Sequence, residues 1–367
     1  NLSQMLEDEI GNDDFRADSF HFFKKAAPHE KMSAWVVIKA FGNYVQQNAD
    51  LELVVRMIIG CKYQDEVNKS FENAFIDLIH GDIIDADGLD YVKRDSWASG
   101  YSTASVDSER LISAIRVHCG EDGKWQVCYS PKALNEIEAV LAVKTYQQKN
   151  VITHHTVVFE QALLKKAMES AAMYHFGYPD TEDKEIRKNA LEQLCDVDAY
   201  LSEIKLGSSK VPLIYPDDDF ISLMKYTHND KYVKQWLSRN YEYVPLWKST
   251  AEFFALFPIM HKMLYSSNCW LFSDKCKEFI CKETGTNIFD VWSLEATGTD
   301  KGVKASKVNF LIDDKVIPYT DIYSDDKNCY EFKAKPFRYI FIHKSLKDQI
   351  PSLIGKLRSQ VEYHLFG

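Results

Sequence analysis

Asp85-Ala86-Asp87-Gly88-Leu89-Asp90-Tyr91-Val92-Lys93-Arg94-Asp95 is the stretch on which the reading of this chain turns. Aspartate is a favoured helix N-cap, because its carboxylate accepts from backbone N–H groups that the first turn leaves unpaired. A helix is therefore predicted to begin at Asp85 or Asp87. Positions 87, 91 and 95 then fall at i, i+4 and i+8, on one face. Two carboxylates and a phenol are an odd set for packing. A carboxylate at a helix start can ligate a divalent metal, a tyrosine one turn on can stack on or hydrogen-bond a nucleoside, and a second carboxylate can accept from a sugar hydroxyl. The same spacing also suits a solvated helix start, with Asp90 paired to Arg94 and Lys93 in water. Spacing alone leaves both readings open.

Working outward, Leu2, Met5, Leu6 and Ile10 share a face and predict a helix over 2–10, while 11–19 reads as a polar loop. Pro28, tolerated in a first helical turn, introduces a helix from His29 to about Gln47, with Met32, Trp35, Val36, Ala40 and Tyr44 on one stripe. Residues 51–59 read as a short buried helix. Residues 66–79 read as another, with Val67, Phe71, Ala74, Phe75 and Leu78 at helical spacing. Downstream, 108–117 is helical, and IRVHCGEDGKWQVCYS (115–130) is a hairpin around Glu121-Asp122-Gly123. Helices are expected over 132–148, 150–176 and 181–205. LGSSKVPLIYPDDD (206–219) reads as a linker. It is followed by a helical pair over 219–240 and, behind a Ser249/Glu252 capping box, by an apolar helix from Phe253 to Tyr265. Residues 282–307 are loop-rich, 308–343 turn to strand (VNFLI, KVIPYTDIYS, YEFKA, RYIFIH), and Ile350, Leu353, Ile354, Leu357 and Val361 mark a last amphipathic helix. The expected fold class is mainly α with a smaller C-terminal α+β lobe, divided as 1–205 and 206–367.

At 367 residues the chain exceeds one small core. A formal charge of −10 argues against a general nucleic-acid surface, which needs a basic face, but leaves room for a local basic pocket. Eight cysteines include no C-x-x-C pair, and the Cys276–Cys281 spacing fits no common zinc knuckle. With no signal peptide and no apolar run near about 18 residues, a cytoplasmic protein away from membranes is expected.

D-A-D-G-L-D-Y-V-K-R-D resembles the D-x-D-x-x-D-Y-x-x-R-D pattern of the HD-domain nucleotide phosphohydrolases, the group that contains the deoxynucleotide triphosphohydrolases. Pro28-His29-Glu30-Lys31-Met32-Ser33 is similar to that family's H-E-x-x-S helix start, and 217–225 and 239–247 resemble its C-terminal half. The resemblance implies an HD-domain helical core and a divalent metal ion (Mg, Mn, Fe, Ni or Zn) with Asp87 as its last protein ligand. It implies that Tyr91 and Asp95 line the substrate pocket, that His29 faces the scissile phosphate as acid or electrostatic partner, and that Lys144 meets a phosphate. The implied substrate is a nucleotide, foremost a (deoxy)nucleoside triphosphate, and the implied assembly a homo-oligomer. His154-His155 matches a position that contacts a regulatory nucleotide in relatives; a polar first turn explains the pair equally.

The departures are specific. The family is named for an adjacent His-Asp pair, and none occurs in this sequence; that pair is expected before Asn1. Gly88 stands where a lysine follows the metal aspartate, and Gln148 and Ile152 stand where a histidine and a tyrosine are usual. Lys144 replaces an arginine, a point charge in place of a two-pronged donor. Three readings stay open: a metal-dependent phosphohydrolase, a metal-free nucleotide-binding or scaffold protein on the same fold, and a nucleotide phosphodiesterase.

Overall fold

The structure is a computed structural model that describes residues 2–22, 26–81, 84–100, 106–179, 181–195, 203–206, 209–212, 217–258, 268–296, 308–322 and 337–366. The chain forms two compact units, Asn1–Gln147 with Lys301–Lys333, and Gln148–Asp300 with Ala334–Gly367.

The first unit opens with α1 (Leu2–Ile10) and α2 (Asp13–Phe22). The sequence predicted a loop where α2 forms. Its start is fixed by polar groups: the Asn12 side chain accepts from the Asp14 N–H at 2.9 Å, and Asp13 and Asp14 suit the positive end of the helix dipole. Phe15, fully buried, anchors it with too little periodicity to signal a helix. Next comes α3 (Pro28–Val36), whose Glu30 carboxylate accepts from the Ala27 N–H at 2.6 Å. The helical run continues into α4 (Gly42–Asn48) through five residues, Val37–Phe41, wound as a π-helix. The wider turn shifts the register, so Phe41 and Tyr44 face solvent, against the single stripe expected.

Asp50 caps α5 (Leu51–Ile59), and Gly60, at φ 67°, ends it. Then follow α6 (Ser70–Ile79), α7 (Ala86–Ala98), α8 (Ser108–Ser113), the hairpin β1 (Ile115–Cys119) and β2 (Trp125–Tyr129), and α9 (Leu134–Gln147).

The second unit is built on α10 (His155–His175), which packs against α11 (Lys184–Leu194). The helix expected to reach 205 stops at Leu194. Residues 203–212, expected as helix end and linker, pair as the ribbon β3 (Glu203–Leu206) and β4 (Ser209–Pro212). After it come α12 (Asp217–Tyr226), α13 (Lys231–Ser238), β5 (Tyr243–Pro245), α14 (Thr250–Leu256), α15 (Asn268–Thr284) and β6 (Trp292–Ala296). The capping box holds: Glu252 N–H donates to Ser249 Oγ at 3.1 Å, and Lys248 N–H to the Glu252 carboxylate at 2.6 Å. The helix expected to reach Tyr265 ends at Leu256, where Phe257 leaves helical geometry at φ −129°; residues 259–265 and the strand expected at YEFKA lie outside the described residues.

The chain then returns to the first unit with β7 (Asn309–Ile312), β8 (Lys315–Pro318) and α16 (Tyr319–Ile322), and ends in the second with β9 (Phe337–His343) and α17 (Ile350–Phe366). In the first unit the sheet order is β1-β2-β7-β8, with β2 and β7 parallel at Tyr129↔Phe310. Its core gathers Val92, Leu111, Ile137, Val140, Leu141, Phe310 and Tyr319. In the second, β9 lies between β5 and β6, antiparallel to both. There the Phe159 ring of α10 meets Trp292 at 5.4 Å and Phe341 at 4.9 Å.

The architecture is mainly α with small sheets. The boundary expected near 205 does not coincide with that of the compact units, because α10 packs on α13, α12 and β6 and so belongs with the C-terminal half. Among the described residues no helix is long and apolar enough to cross a membrane.

Candidate functional site

Asp85 is the N-cap of α7: its carboxylate accepts from the Gly88 N–H at 2.7 Å. That places Asp87 in the first turn, Tyr91 one turn on and Asp95 two turns on. The opposite face of α7 packs Val92 into the core. Asp87 and Asp95 are exposed, Tyr91 is half-buried, and none of these three side chains has a hydrogen bond or ion pair among the described residues. Asp90 pairs with Arg94 and Lys93 is exposed, so the solvated reading describes that side of the helix correctly. One helix carries both faces.

α9 lies against α7 and supplies the cation. The Lys144 side chain is only 12% exposed; its Nζ stands 3.9 Å from the Asp85 carboxylate and 5.4 Å from the centre of the Tyr91 ring. Burial holds the Lys144 ammonium below the ordinary lysine range, opposed by the charges of Asp85 and Asp87. The Tyr91 phenol is pushed up to about 12, chiefly by burial and then by Asp85, Asp87 and Asp95. Tyr129 is raised for the same first reason, with Asp85 next. The site thus sets phenols that keep their protons beside exposed carboxylates and one confined lysine.

Two residues that sequence reasoning did not assign to the site shape it. A Cβ at Gly88 would lie 2.4 Å from Lys144 Nζ and 2.3 Å from the Asp85 carboxylate, so the bare backbone is what lets lysine and cap share that space. Gln147, buried one turn beyond Lys144, donates from Nε2 to the Val92 carbonyl at 3.1 Å and to Ser96 Oγ at 3.0 Å, fastening α9 to α7. Its i+3 spacing from Lys144 was the available signal.

The structure therefore brings Tyr91 and Lys144 together with Asp87 alongside, and sets Asp95 on the same stripe. His29 stands apart in contact terms. It is exposed on α3, and its described hydrogen bond is a backbone one, from Ser33 Oγ to its carbonyl at 2.9 Å. His155 Nδ1 faces the Lys248 carbonyl at 3.1 Å, and His154 caps α10 through the Thr156 N–H, so the pair serves a helix start in the second unit.

Asp87 has the right chemistry for a hard divalent ion, a free carboxylate beside further negative charge. Among the described residues no group of three or more His, Cys, Asp or Glu is placed to hold a metal, so Asp87 stands without further protein donors there. It does suit an ion arriving on a phosphate, since magnesium is commonly held by one or two carboxylates, with substrate oxygens and water completing its shell.

No family model matches the chain. A curated relative, an uncharacterized protein of Methanocaldococcus jannaschii, is 30% identical over 91 residues, 25% of this chain and 20% of that protein. The chain thus matches about a fifth of that relative's length. Among solved structures, a hypothetical protein from Aquifex aeolicus superposes with a TM-score of 0.56 at 17% identity, covering 92% of this chain and 74% of that one. A phosphohydrolase from Bacteroides thetaiotaomicron gives a TM-score of 0.49 at 16% identity, covering 88% and 74%. The first likeness is one of fold; the second is too low to carry an argument.

Proposed function

We propose that the α7–α9 face binds a nucleotide together with a divalent cation and that the chain hydrolyses the phosphate ester it holds. The supporting observation is the meeting of Lys144 with the Asp87–Tyr91–Asp95 stripe. An ammonium for a phosphate, a neutral phenol for the nucleoside and an unpaired carboxylate for a sugar hydroxyl converge there from two helices, in a sequence that resembles the HD phosphohydrolases. Carboxylates outnumber the cation, so a bare polyphosphate is repelled and a cation-bound one is admitted. The bound cation would polarise the phosphoryl oxygen. Within the site, Tyr91 keeps its proton at physiological pH and offers it as a hydrogen-bond donor, Asp95 orients the sugar, and Lys144 offsets charge on the phosphate. His29 is assigned as acid or electrostatic partner at the scissile phosphate. A (deoxy)nucleoside triphosphate is the leading substrate.

The test pairs turnover with binding. The protein is assayed against nucleoside mono-, di- and triphosphates and cyclic nucleotides with Mg, Mn, Fe, Ni or Zn, following released phosphate, pyrophosphate and triphosphate, while calorimetry measures binding. Turnover abolished by a chelator and by Lys144→Ala is the expected result. Binding without turnover favours the second reading, a nucleotide-binding protein. Neither binding nor turnover with any combination overturns both.

A further inference from the structure

Tyr129, the last residue of β2, carries a hydroxyl that the fold does not use. The residue is 5% exposed, in a core shared with Ile84 just ahead of α7, Val92 on it, and Val140 and Val143 on α9. Its neighbours across the sheet are the apolar Ile115 of β1 and Phe310 of β7. The hydroxyl makes no hydrogen bond among the described residues. It is not sealed either: the fully enclosed polar atoms without a partner are Trp35 Nε1, Arg56 Nη2, Ser108 Oγ, Thr145 Oγ1 and Gln148 Nε2, so the Tyr129 oxygen keeps an opening. A hydroxyl that has left bulk water without gaining a partner costs the folded state free energy. Asp85 is the carboxylate whose charge acts on this phenol, yet its Oδ1 is taken by the Gly88 N–H at 2.7 Å, and no hydrogen bond joins it to Tyr129.

We propose that Tyr129 is a substrate-binding residue whose hydroxyl donates a hydrogen bond to an oxygen of the phosphate that Lys144 meets. The role rests on the nucleotide reading above. Its place follows from the charges around the two phenols. Tyr91 is acted on by Asp85, Asp87 and Asp95, along the whole stripe, whereas Tyr129 is acted on by Asp85 alone among carboxylates. Asp85 is also the residue that Lys144 Nζ approaches, at 3.9 Å. Tyr129 therefore belongs to the end of the site where the ammonium stands, and it comes from β2, a third element beside α7 and α9. Burial keeps its proton on, so it can donate at any physiological pH. Lys144 and Tyr129 are both donors at this end, and a ligand that suits them brings several acceptors on one centre. A phosphate does so, and its charge makes each such bond about twice as strong as one between neutral groups. A nucleobase edge, with donors of its own, suits such a pair less well.

Tyr129→Phe keeps the ring and removes only the hydroxyl. Calorimetry on wild type and variant uses the nucleoside mono-, di- and triphosphates and the metals named above, with the parent nucleosides alongside, and thermal unfolding is followed on both proteins without ligand. The variant is expected to bind the nucleotide roughly tenfold or more weakly, the loss of one hydrogen bond to a charged group, and to bind the nucleoside as the wild type does. Its Tm is expected to hold or rise, because an unpaired buried hydroxyl has been removed. A lower Tm shows the hydroxyl already partnered within the fold and overturns the proposal. So does equal nucleotide affinity in the two proteins, which leaves the nucleotide reading standing. A nucleoside affinity that falls along with that of the nucleotide places the hydroxyl at base or sugar and overturns the phosphate contact. No nucleotide binding by the wild type with any combination overturns this role together with the reading beneath it.

Discussion

Arg56 and Lys144 are both cations drawn out of water beside aspartates, and they differ in how completely they are enclosed. Arg56, on α5, is fully buried; it pairs with Asp18 at 2.9 Å and Glu52 at 2.8 Å and lies 3.8 Å from the centre of the Tyr63 ring. Its two carboxylates already outnumber it, and its neighbours are locked: the Cys61 thiol and the Tyr63 phenol are each pushed up to about 12, mainly by burial. Asp18 is nearly buried with it, and Glu52 is 20% exposed. Lys144 is confined, with the Asp85 carboxylate 3.9 Å from its Nζ, and Asp87 and Asp95 lie exposed on the neighbouring helix. A closed ion cluster ties elements together; an open one, with surplus carboxylates exposed, is left to meet something that is not part of the chain. That contrast is the physical ground for placing function at α7 and α9.

The largest expected effect comes from breaking the closed cluster. Arg56→Ala strands Asp18 in the interior, and denaturant unfolding is expected to show a loss of about 3–5 kcal/mol, whereas nucleotide affinity of the folded fraction stays as it was. The open cluster should behave in reverse. Lys144→Ala is expected to leave stability within about 1 kcal/mol and to weaken nucleotide binding by one to two orders of magnitude, the worth of a hydrogen bond to a charged group; calorimetry reads it. Equal losses of stability in both variants would erase the distinction. Gly88→Ala sharpens it by displacing Lys144 Nζ and the capping carboxylate together: about 1 kcal/mol of stability for the cap, and a binding loss approaching that of Lys144→Ala.

The smallest effect lies in the second unit. Burial, then the charge of His154, holds His155 below the usual histidine range. The folded state therefore binds fewer protons than the unfolded one below about pH 6.5, so the stabilising contribution is complete above that value and is lost as pH falls through the depressed pKa. His155→Asn is expected to flatten the acid side of a Tm-versus-pH curve slightly, with no change at pH 8.

Much of this was legible beforehand, and the exceptions have causes. The α7 stripe, the Ser249/Glu252 box and the hairpin at 115–130 were readable because caps, turns and i+4 spacing are local. α2 was missed because its helix rests on one buried ring and polar first-turn contacts. The ribbon at 203–212 was missed because its two strands are only four residues each and the Gly-Ser-Ser between them read as a linker. Periodicity found the helical spacing of Val67, Phe71 and Phe75 on α6 but not that they face solvent, since a moment of apolarity has a direction along the helix face and no label for what lies opposite. At the site, Asp87, Tyr91 and Asp95 followed from spacing, and Lys144 from the resemblance. The roles of Gly88 and Gln147 needed the crossing of two helices, which no single-helix pattern contains.

The return of β7 and β8 to the sheet begun by β1 and β2 carries a consequence for how the polypeptide is made. The hydroxyl of Tyr319 reaches Glu138 from 181 positions away, at 3.1 Å, and β2 finds its parallel neighbour only at Phe310. During synthesis the amino-terminal half emerges with one side of that sheet unfilled, and it must wait for nearly all of the second unit to leave the ribosome before its last strands arrive. Long-range closure of this kind is slow. Expressing residues 1–147 alone is therefore expected to leave an unfinished layer with a bare strand edge, and a cut before 309 takes β7 and β8 from the first unit's sheet as well as β9 from the second's.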